Sequence, residues 1–158
     1  MKRVDGNPDV SLVECTNLIK GLWRIRWDIQ TIDDSTTYME QQLEHKPTAE
    51  EVKGIVLSYY NEQIDDSILS GMVYEDAQVW LSSANQFNYK AAYDLAVQSN
   101  GQSLPVTFKF GTDDEPKYRE FTTIDELRDF YYKSVSYIQK TLQEGWDKKD
   151  SFDISLYE

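Results

Sequence analysis

The pattern that most restricts the fold is an alternation of apolar and polar residues between Leu22 and Ile32. The apolar positions recur at every second residue, at Trp23, Ile25, Trp27 and Ile29. Successive side chains of a β-strand point to opposite faces, so this spacing places the four apolar side chains on one face. The segment therefore predicts a half-buried strand of an antiparallel sheet.

Three helices are predicted to follow this strand. Thr48 and Thr123 are each followed three residues later by a glutamate, which is the capping-box pattern at the start of a helix. Ser82 or Ser83 is the candidate N-cap of the helix between them, and Asn100-Gly101 is its predicted end. In the first helix apolar residues recur at three- and four-residue steps, and in the third they form one stripe, so each of these helices has an apolar face. The apolar positions of the middle helix include Phe87, Ala91, Ala92, Leu95 and Ala96.

Short segments between the helices predict two β-hairpins. Their strands are Met72–Tyr74, Gln78–Leu81, Leu104–Phe110 and Lys117–Phe121. Residues 1–17 are predicted to be an extended arm, and residues 33–46 a loop or a marginal helix. The predicted fold is α+β, with a small antiparallel sheet (two hairpins plus an N-terminal strand) packed with three helices. We expect an N-terminal arm and strand over residues 1–46 and an α+β domain over residues 47–158.

The charge of the chain argues against several classes of partner. Its 16 basic and 28 acidic residues give a net charge of −12. Nucleic-acid binding needs clustered Lys and Arg, so we expect no nucleic-acid partner. No apolar run approaches the roughly 20 residues that cross a bilayer, so we expect no membrane partner. Residues 1–30 carry five basic and four acidic residues, and the remaining 128 residues therefore carry a net −13.

Residue chemistry gives little support for catalysis or for a cofactor. The single cysteine, Cys15, and the single histidine, His45, exclude a disulfide framework, most zinc sites and most catalytic triads. Neighbouring acids such as Asp33-Asp34 and Asp65-Asp66 are typical of solvated turns, because acid–base catalysis needs carboxylates that face each other across a cleft. We predict a protein that is not an enzyme and has no metal and no cofactor.

Two groups of residues are candidates for binding. Trp23 and Trp27 form the predicted interface with a protein partner, because Trp is enriched in interfaces. Arg24 and Arg26, on the opposite face of the strand, are the candidate salt-bridge donors of this interface. The second group is a polar and aromatic patch at Trp80, Asn85, Asn88 and Tyr89. This patch has two interpretations: a site for a glycan or a protein, or a core tryptophan followed by the polar residues that begin a helix.

From about residue 47 to residue 150 the chain resembles a family of uncharacterised domains found in phage and prophage tail proteins of gut bacteria. The matching segments include Tyr60-Asn61-Glu62, Ile68–Gly71, Val79–Ser82, Asn85–Lys90, Leu104-Pro105-Val106, Phe121-Thr122-Thr123, Phe130-Tyr131 and Gly145-Trp146. The resemblance covers about two thirds of the chain. The family has no established activity, so the resemblance implies a setting and no catalytic residue.

The resemblance implies a structural component of a tailed-phage virion, in the tail, the baseplate or the fibre-attachment region. Such a component is made in the cytoplasm of the bacterial host, and its partners are other phage structural proteins in an oligomeric assembly. Two alternatives stay open. One is a tail-fibre assembly factor that is absent from the mature particle, and the other is a module that binds glycans on the host surface. A hydrolase is the least favoured interpretation.

Overall fold

The computed structural model describes all residues from Met1 to Glu158, and the chain divides into two compact units. The first unit contains residues 1–59 and 150–158, and the second contains residues 60–149. The first unit has 7 basic and 13 acidic residues, and the second has 9 and 15, so each carries a net charge of −6. The charge difference between residues 1–30 and the rest of the sequence therefore does not follow the structural division.

A four-stranded antiparallel sheet forms most of the first unit. Its strands are β1 (Lys2–Gly6), β2 (Val13–Asn17), β3 (Leu22–Ile32) and β4 (Ser35–Leu43), in the spatial order β1-β4-β3-β2. The predicted strand is therefore confirmed as β3. The prediction of a loop or a marginal helix over residues 33–46 is wrong, because β4 lies there. The buried residues of β4 include the polar Thr36 and Glu40, so the strand shows no simple apolar alternation.

The alternation in β3 holds only as far as Trp27. Ile25 and Trp27 are buried, and α1 (Ala49–Ser70) contributes Tyr59, whose ring meets Trp27 edge-to-face at 5.6 Å. The register between β3 and β4 shifts after Trp27, where Asp28 adopts a φ of 51°. This bulge changes the direction of the following side chains, so Ile29 is 38% exposed instead of continuing the buried face.

The helix starts follow the predicted capping residues. The Oγ1 atom of Thr48 accepts a hydrogen bond from the backbone N–H of Glu51 at 3.2 Å, and α1 begins at Ala49. At the start of α3 (Ile124–Asp150), Thr123 and Glu126 form both halves of a capping box, at 3.3 Å each. The second unit also contains residues 60–70 of α1, because the boundary between the units lies inside that helix.

The second unit places two hairpins and two helices around an aromatic core. The hairpins are β5 (Met72–Tyr74) with β6 (Ala77–Val79) and β7 (Val106–Gly111) with β8 (Pro116–Phe121), and α2 spans Ser83–Gln98. Phe130 of α3 is fully buried, and its ring lies 4.9–5.9 Å from five other aromatic rings. These rings belong to Tyr74, Tyr89, Phe108, Phe110 and Phe121. The α+β class, the three helices and the two hairpins are thus confirmed.

We expect Gly145→Ala to destabilise the second unit by about 2 kcal/mol, because a methyl group at Gly145 would overlap the buried side chain of Ile64. In an Ile64→Ala background, Gly145→Ala should stabilise the second unit by up to about 1 kcal/mol, since no overlap then opposes the better helix propensity of alanine. Urea denaturation of the single and double variants measures both effects.

Gly54→Ala is the matched control, because Gly54 lies in α1 with no atom within 4 Å of an added Cβ atom. It should stabilise the protein by about 0.5–1 kcal/mol in either background. If Gly145→Ala changed the free energy of unfolding equally with and without the Ile64 side chain, overlap with Ile64 would not be the reason for a glycine at position 145.

Tyr74 makes the stability of the second unit sensitive to alkaline pH. Burial, together with a hydrogen bond from the Tyr74 hydroxyl to Asp129 at 3.1 Å, raises the pKa of Tyr74 from 10.0 to about 12. Above pH 10 the unfolded chain releases a proton that the folded chain retains, so this contribution to stability is full below pH 10 and is lost as the pH rises to about 12.

We therefore expect the free energy of unfolding to fall between pH 10 and pH 12, with Tyr74 contributing up to about 1.4 kcal/mol per pH unit. Tyr74→Phe should lower the stability at neutral pH and flatten this slope. Urea denaturation across the pH range measures it, with Tyr118→Phe as the control at a tyrosine that is 70% exposed. Equal slopes in the Tyr74→Phe protein and the unmodified protein would contradict the prediction.

Candidate interaction surfaces

Arg26 is the more deeply buried of the two arginines in the predicted N-terminal interface, with 5% of its surface exposed. Its Nε atom donates to Glu40 at 3.1 Å, while its two terminal nitrogens donate to the carboxylate of Glu14 at 2.6 Å and to the carbonyl of Ser11 at 2.7 Å. Burial lowers the pKa of Arg26, but the hydrogen bonds to Glu14 and Glu40 raise it, and the net shift is upward. A guanidinium with all these contacts holds β2, β3 and β4 together.

The other predicted interface residues have different surroundings. Trp27 is 2% exposed in the core of the first unit. Trp23 is half-buried with the ammonium of Lys46 5.6 Å above its ring, and Arg24 lies 3.3 Å from Glu40 in an ion pair. The structure places Arg26 and Trp27 in the interior, so only Trp23 and Arg24 of the predicted set are available to a partner.

The predicted patch at the start of α2 is also only partly assembled. Trp80 is 37% exposed, and Asn85 donates to its carbonyl at 2.8 Å beside a pocket of about 330 Å³. Tyr89 is 4% exposed and packs against Phe130 at 4.9 Å, and Asn88 is exposed but does not line that pocket. The structure therefore brings Trp80 and Asn85 together and separates them from the other two residues.

The helix α2 is apolar on two sides. The first side faces the core of the second unit through Tyr89 and Ala96. We use the name outer face for the exposed residues Ala84, Phe87, Asn88, Ala91, Leu95 and Gln98. Phe87 is 72% exposed and Leu95 is 55% exposed, although they are among the largest apolar side chains of the helix. Large apolar groups in contiguous exposed positions are typical of interaction surfaces.

An apolar groove adjoins the outer face. It lies between α2 and α3 and has a volume of about 220 Å³. Its apolar lining consists of Leu81, Phe87, Tyr89, Tyr131, Val135 and Ile138. Phe87 belongs to both the groove and the outer face, and Val135 is 39% exposed. The outer face and the groove thus form one continuous surface, which we call the α2 surface.

The charged residues beside this surface are paired within the chain. Lys90 donates to Asp94 one turn further along α2, and this hydrogen bond raises the pKa of Lys90. Further along, Tyr93 stacks on Tyr131 at 5.1 Å and accepts a hydrogen bond from Arg128 at 3.3 Å, which lowers the pKa of Tyr93. The α2 surface therefore has an apolar centre with a charged flank, which is the usual composition of a protein interface.

No protein-family model, curated protein or solved structure matches the chain. The residues themselves are therefore the basis for assigning a role. No group of three or more His, Cys, Asp or Glu side chains is arranged to hold a metal ion. None of the three helices has the length and apolar character needed to cross a membrane.

The α2 surface is not among the sites predicted from the sequence. Its signal is present there, because Phe87, Ala91 and Leu95 recur at four-residue steps. The expected apolar positions of this helix also include Ala92 and Ala96, which are half-buried and buried. Tyr89 lies two residues after Phe87, about 200° around the helix, so one helix could not bury both against the same neighbours. The apolar positions of the sequence therefore do not by themselves separate the exposed Phe87, Ala91 and Leu95 from the positions that the core covers.

Breaking the ion pair of Arg26 with Glu40 should destabilise the first unit strongly. Glu40→Gln removes the charge of a residue that is 8% exposed and leaves a buried guanidinium underpaired, so we expect a loss of about 3 kcal/mol. Glu14→Gln is the control, because the Glu14 side chain is 44% exposed, and it should cost about 1 kcal/mol or less. Urea denaturation of both variants gives the comparison, and equal losses would contradict the assignment of Glu40 as the main partner.

Proposed function

We propose that this protein is a non-enzymatic component of a tailed-phage virion, in the tail, the baseplate or the fibre-attachment region, and that it acts through protein–protein interfaces. The α2 surface is the observation that carries this proposal. It leaves Phe87 and Leu95 largely in water beside an apolar groove, an arrangement that is costly for a chain with no partner.

The sequence resemblance to phage tail proteins supports the virion setting. It covers residues 47–150 and therefore includes the whole of α2 and its matching segment Asn85–Lys90. This segment contributes Phe87 to the α2 surface and Tyr89 to the core. The same segment thus supports both the setting and the surface through which the protein would act.

The α2 surface supports this role better than the patch at Trp80 supports glycan binding. Sugar recognition by the predicted patch would combine an aromatic ring with several polar groups at one place. Of the predicted patch only Trp80 and Asn85 line this pocket, beside Lys109, Thr112 and Asp113. The indole N–H of Trp80 is already donated to the carbonyl of Gly111 at 2.7 Å, and Lys109 donates to Asp113 at 2.8 Å. Because Trp80, Asn85 and Lys109 already donate to groups of the same chain, this pocket supports glycan binding less than the α2 surface supports the proposed structural role.

Mass spectrometry of purified virions from the phage that encodes this chain tests the proposal. We expect the chain at a fixed ratio to known tail proteins after density-gradient purification. Its complete absence from infectious particles would overturn the proposal and favour the assembly-factor role. A lysate from the same infection is the control, because it shows that the chain is made even when particles lack it.

A further inference from the structure

The outer face of α2 combines large and small residues in an order suited to close helix packing. Ala91 lies at its centre, with Phe87 one turn before it and Leu95 one turn after it. All three are exposed, and none belongs to the core cluster of the second unit. A small residue between two large ones lets helix axes approach to about 8 Å while the large side chains fill the space on either side.

We propose that the outer face of α2 binds the same face of a second copy of this chain, with the two helices antiparallel about a two-fold axis at Ala91. In this arrangement Phe87 lies opposite Leu95 of the second copy, and the contact is repeated by symmetry. A two-fold contact uses one surface on both subunits and closes at two chains. This inference rests on the proposed function, because it names the partner of the α2 surface.

The charges beside the outer face select the antiparallel orientation. Lys90 and Asp94 lie on the same flank of α2, one turn apart. With the two-fold axis at Ala91, Lys90 lies level with residue 92 of the second copy. Asp94 of that copy is two residues further along, which is about 3 Å along the helix axis. A parallel two-fold pairing would instead place this charged flank of each copy against the opposite flank of the other, where the uncharged Asn88 and Ala92 lie. The order of these charges is therefore self-complementary only in the antiparallel dimer.

Sedimentation velocity over a concentration series tests for the dimer in the full-length chain. We expect the mass to rise from 18.5 kDa to twice that value. Phe87→Glu should raise the dissociation constant of the dimer by roughly 30-fold or more, since central aromatic residues carry most of the binding energy of an interface. Tyr118→Glu is the matched control, because Tyr118 is 70% exposed in the same unit but lies on β8, and it should leave the dimer unchanged.

Disulfide trapping tests the register. In a Cys15→Ser background, which removes the chain's only cysteine, Ala91→Cys should form a cross-linked dimer because residue 91 lies on the two-fold axis. Ala84→Cys should not, because its counterpart is then residue 98 of the second copy. Trapping through Ala84→Cys as efficient as through Ala91→Cys would overturn the antiparallel arrangement.

Charge exchange gives an independent readout. Lys90→Glu and Asp94→Lys should each weaken the dimer, because each creates like-charged pairs between the copies. An equimolar mixture of the two variants should associate more tightly than either alone, since the glutamate introduced in one chain then meets the lysine introduced in the other. A mixture no tighter than its components would overturn the proposed role of these two residues.

The dimer and the virion role fail in different experiments. A chain that stays monomeric at every concentration, or whose dimer is unaffected by Phe87→Glu, overturns the dimer even if mass spectrometry finds the chain in virions. In that case the partner of the α2 surface is a different protein. Absence from virions overturns the proposed function even if the purified chain forms the trapped dimer.

Discussion

The second unit depends on the packing around Phe130. The ring of this residue joins α3 to α2 through Tyr89, to the first hairpin through Tyr74, and to the second hairpin through Phe108, Phe110 and Phe121. Aromatic pairs at these separations add roughly 0.5–1.5 kcal/mol each beyond the area they bury. Phe130 thus links α3 to α2 and to both hairpins. On α2 it contacts Tyr89, whereas Phe87, Ala91 and Leu95 of the outer face are exposed and lie outside the core cluster.

The first unit contains a buried ion pair beside its apolar core. Arg26 and Glu40 each expose less than a tenth of their surface to solvent. Glu14 pairs with Arg26 and Arg24 pairs with Glu40, so the ion pairs connect β2, β3 and β4. Buried charges contribute little net stability when they are paired, but they strongly disfavour any arrangement in which they are unpaired. Together with Glu14, the pair therefore favours the observed pairing of β2, β3 and β4 more than it adds to net stability.

Features that depend on neighbouring residues could be predicted from the sequence, whereas features that depend on contacts between distant residues could not. The capping residues Thr48, Ser82 and Thr123 and both hairpins were found because local hydrogen bonds and turns determine them. The strand β4 was missed because its buried residues include the polar Thr36 and Glu40, and the partner of Glu40, Arg26, lies on the preceding strand. Arg26 was expected on the surface for the same reason, since nothing near it in sequence shows that two glutamates surround it.

The α2 surface illustrates a different limit of the sequence. Phe87, Ala91 and Leu95 show that α2 has an apolar stripe, but only the position of Tyr89 against Phe130 shows that a second stripe is already in the core. An apolar stripe that is exposed to water lowers the solubility of a chain unless another surface covers it. The net charge of −12 on each chain opposes any association between copies, so apolar contacts must provide the affinity of a dimer. The order of Lys90 and Asp94 then determines orientation, because charge pairs at an interface select geometry more than they add affinity.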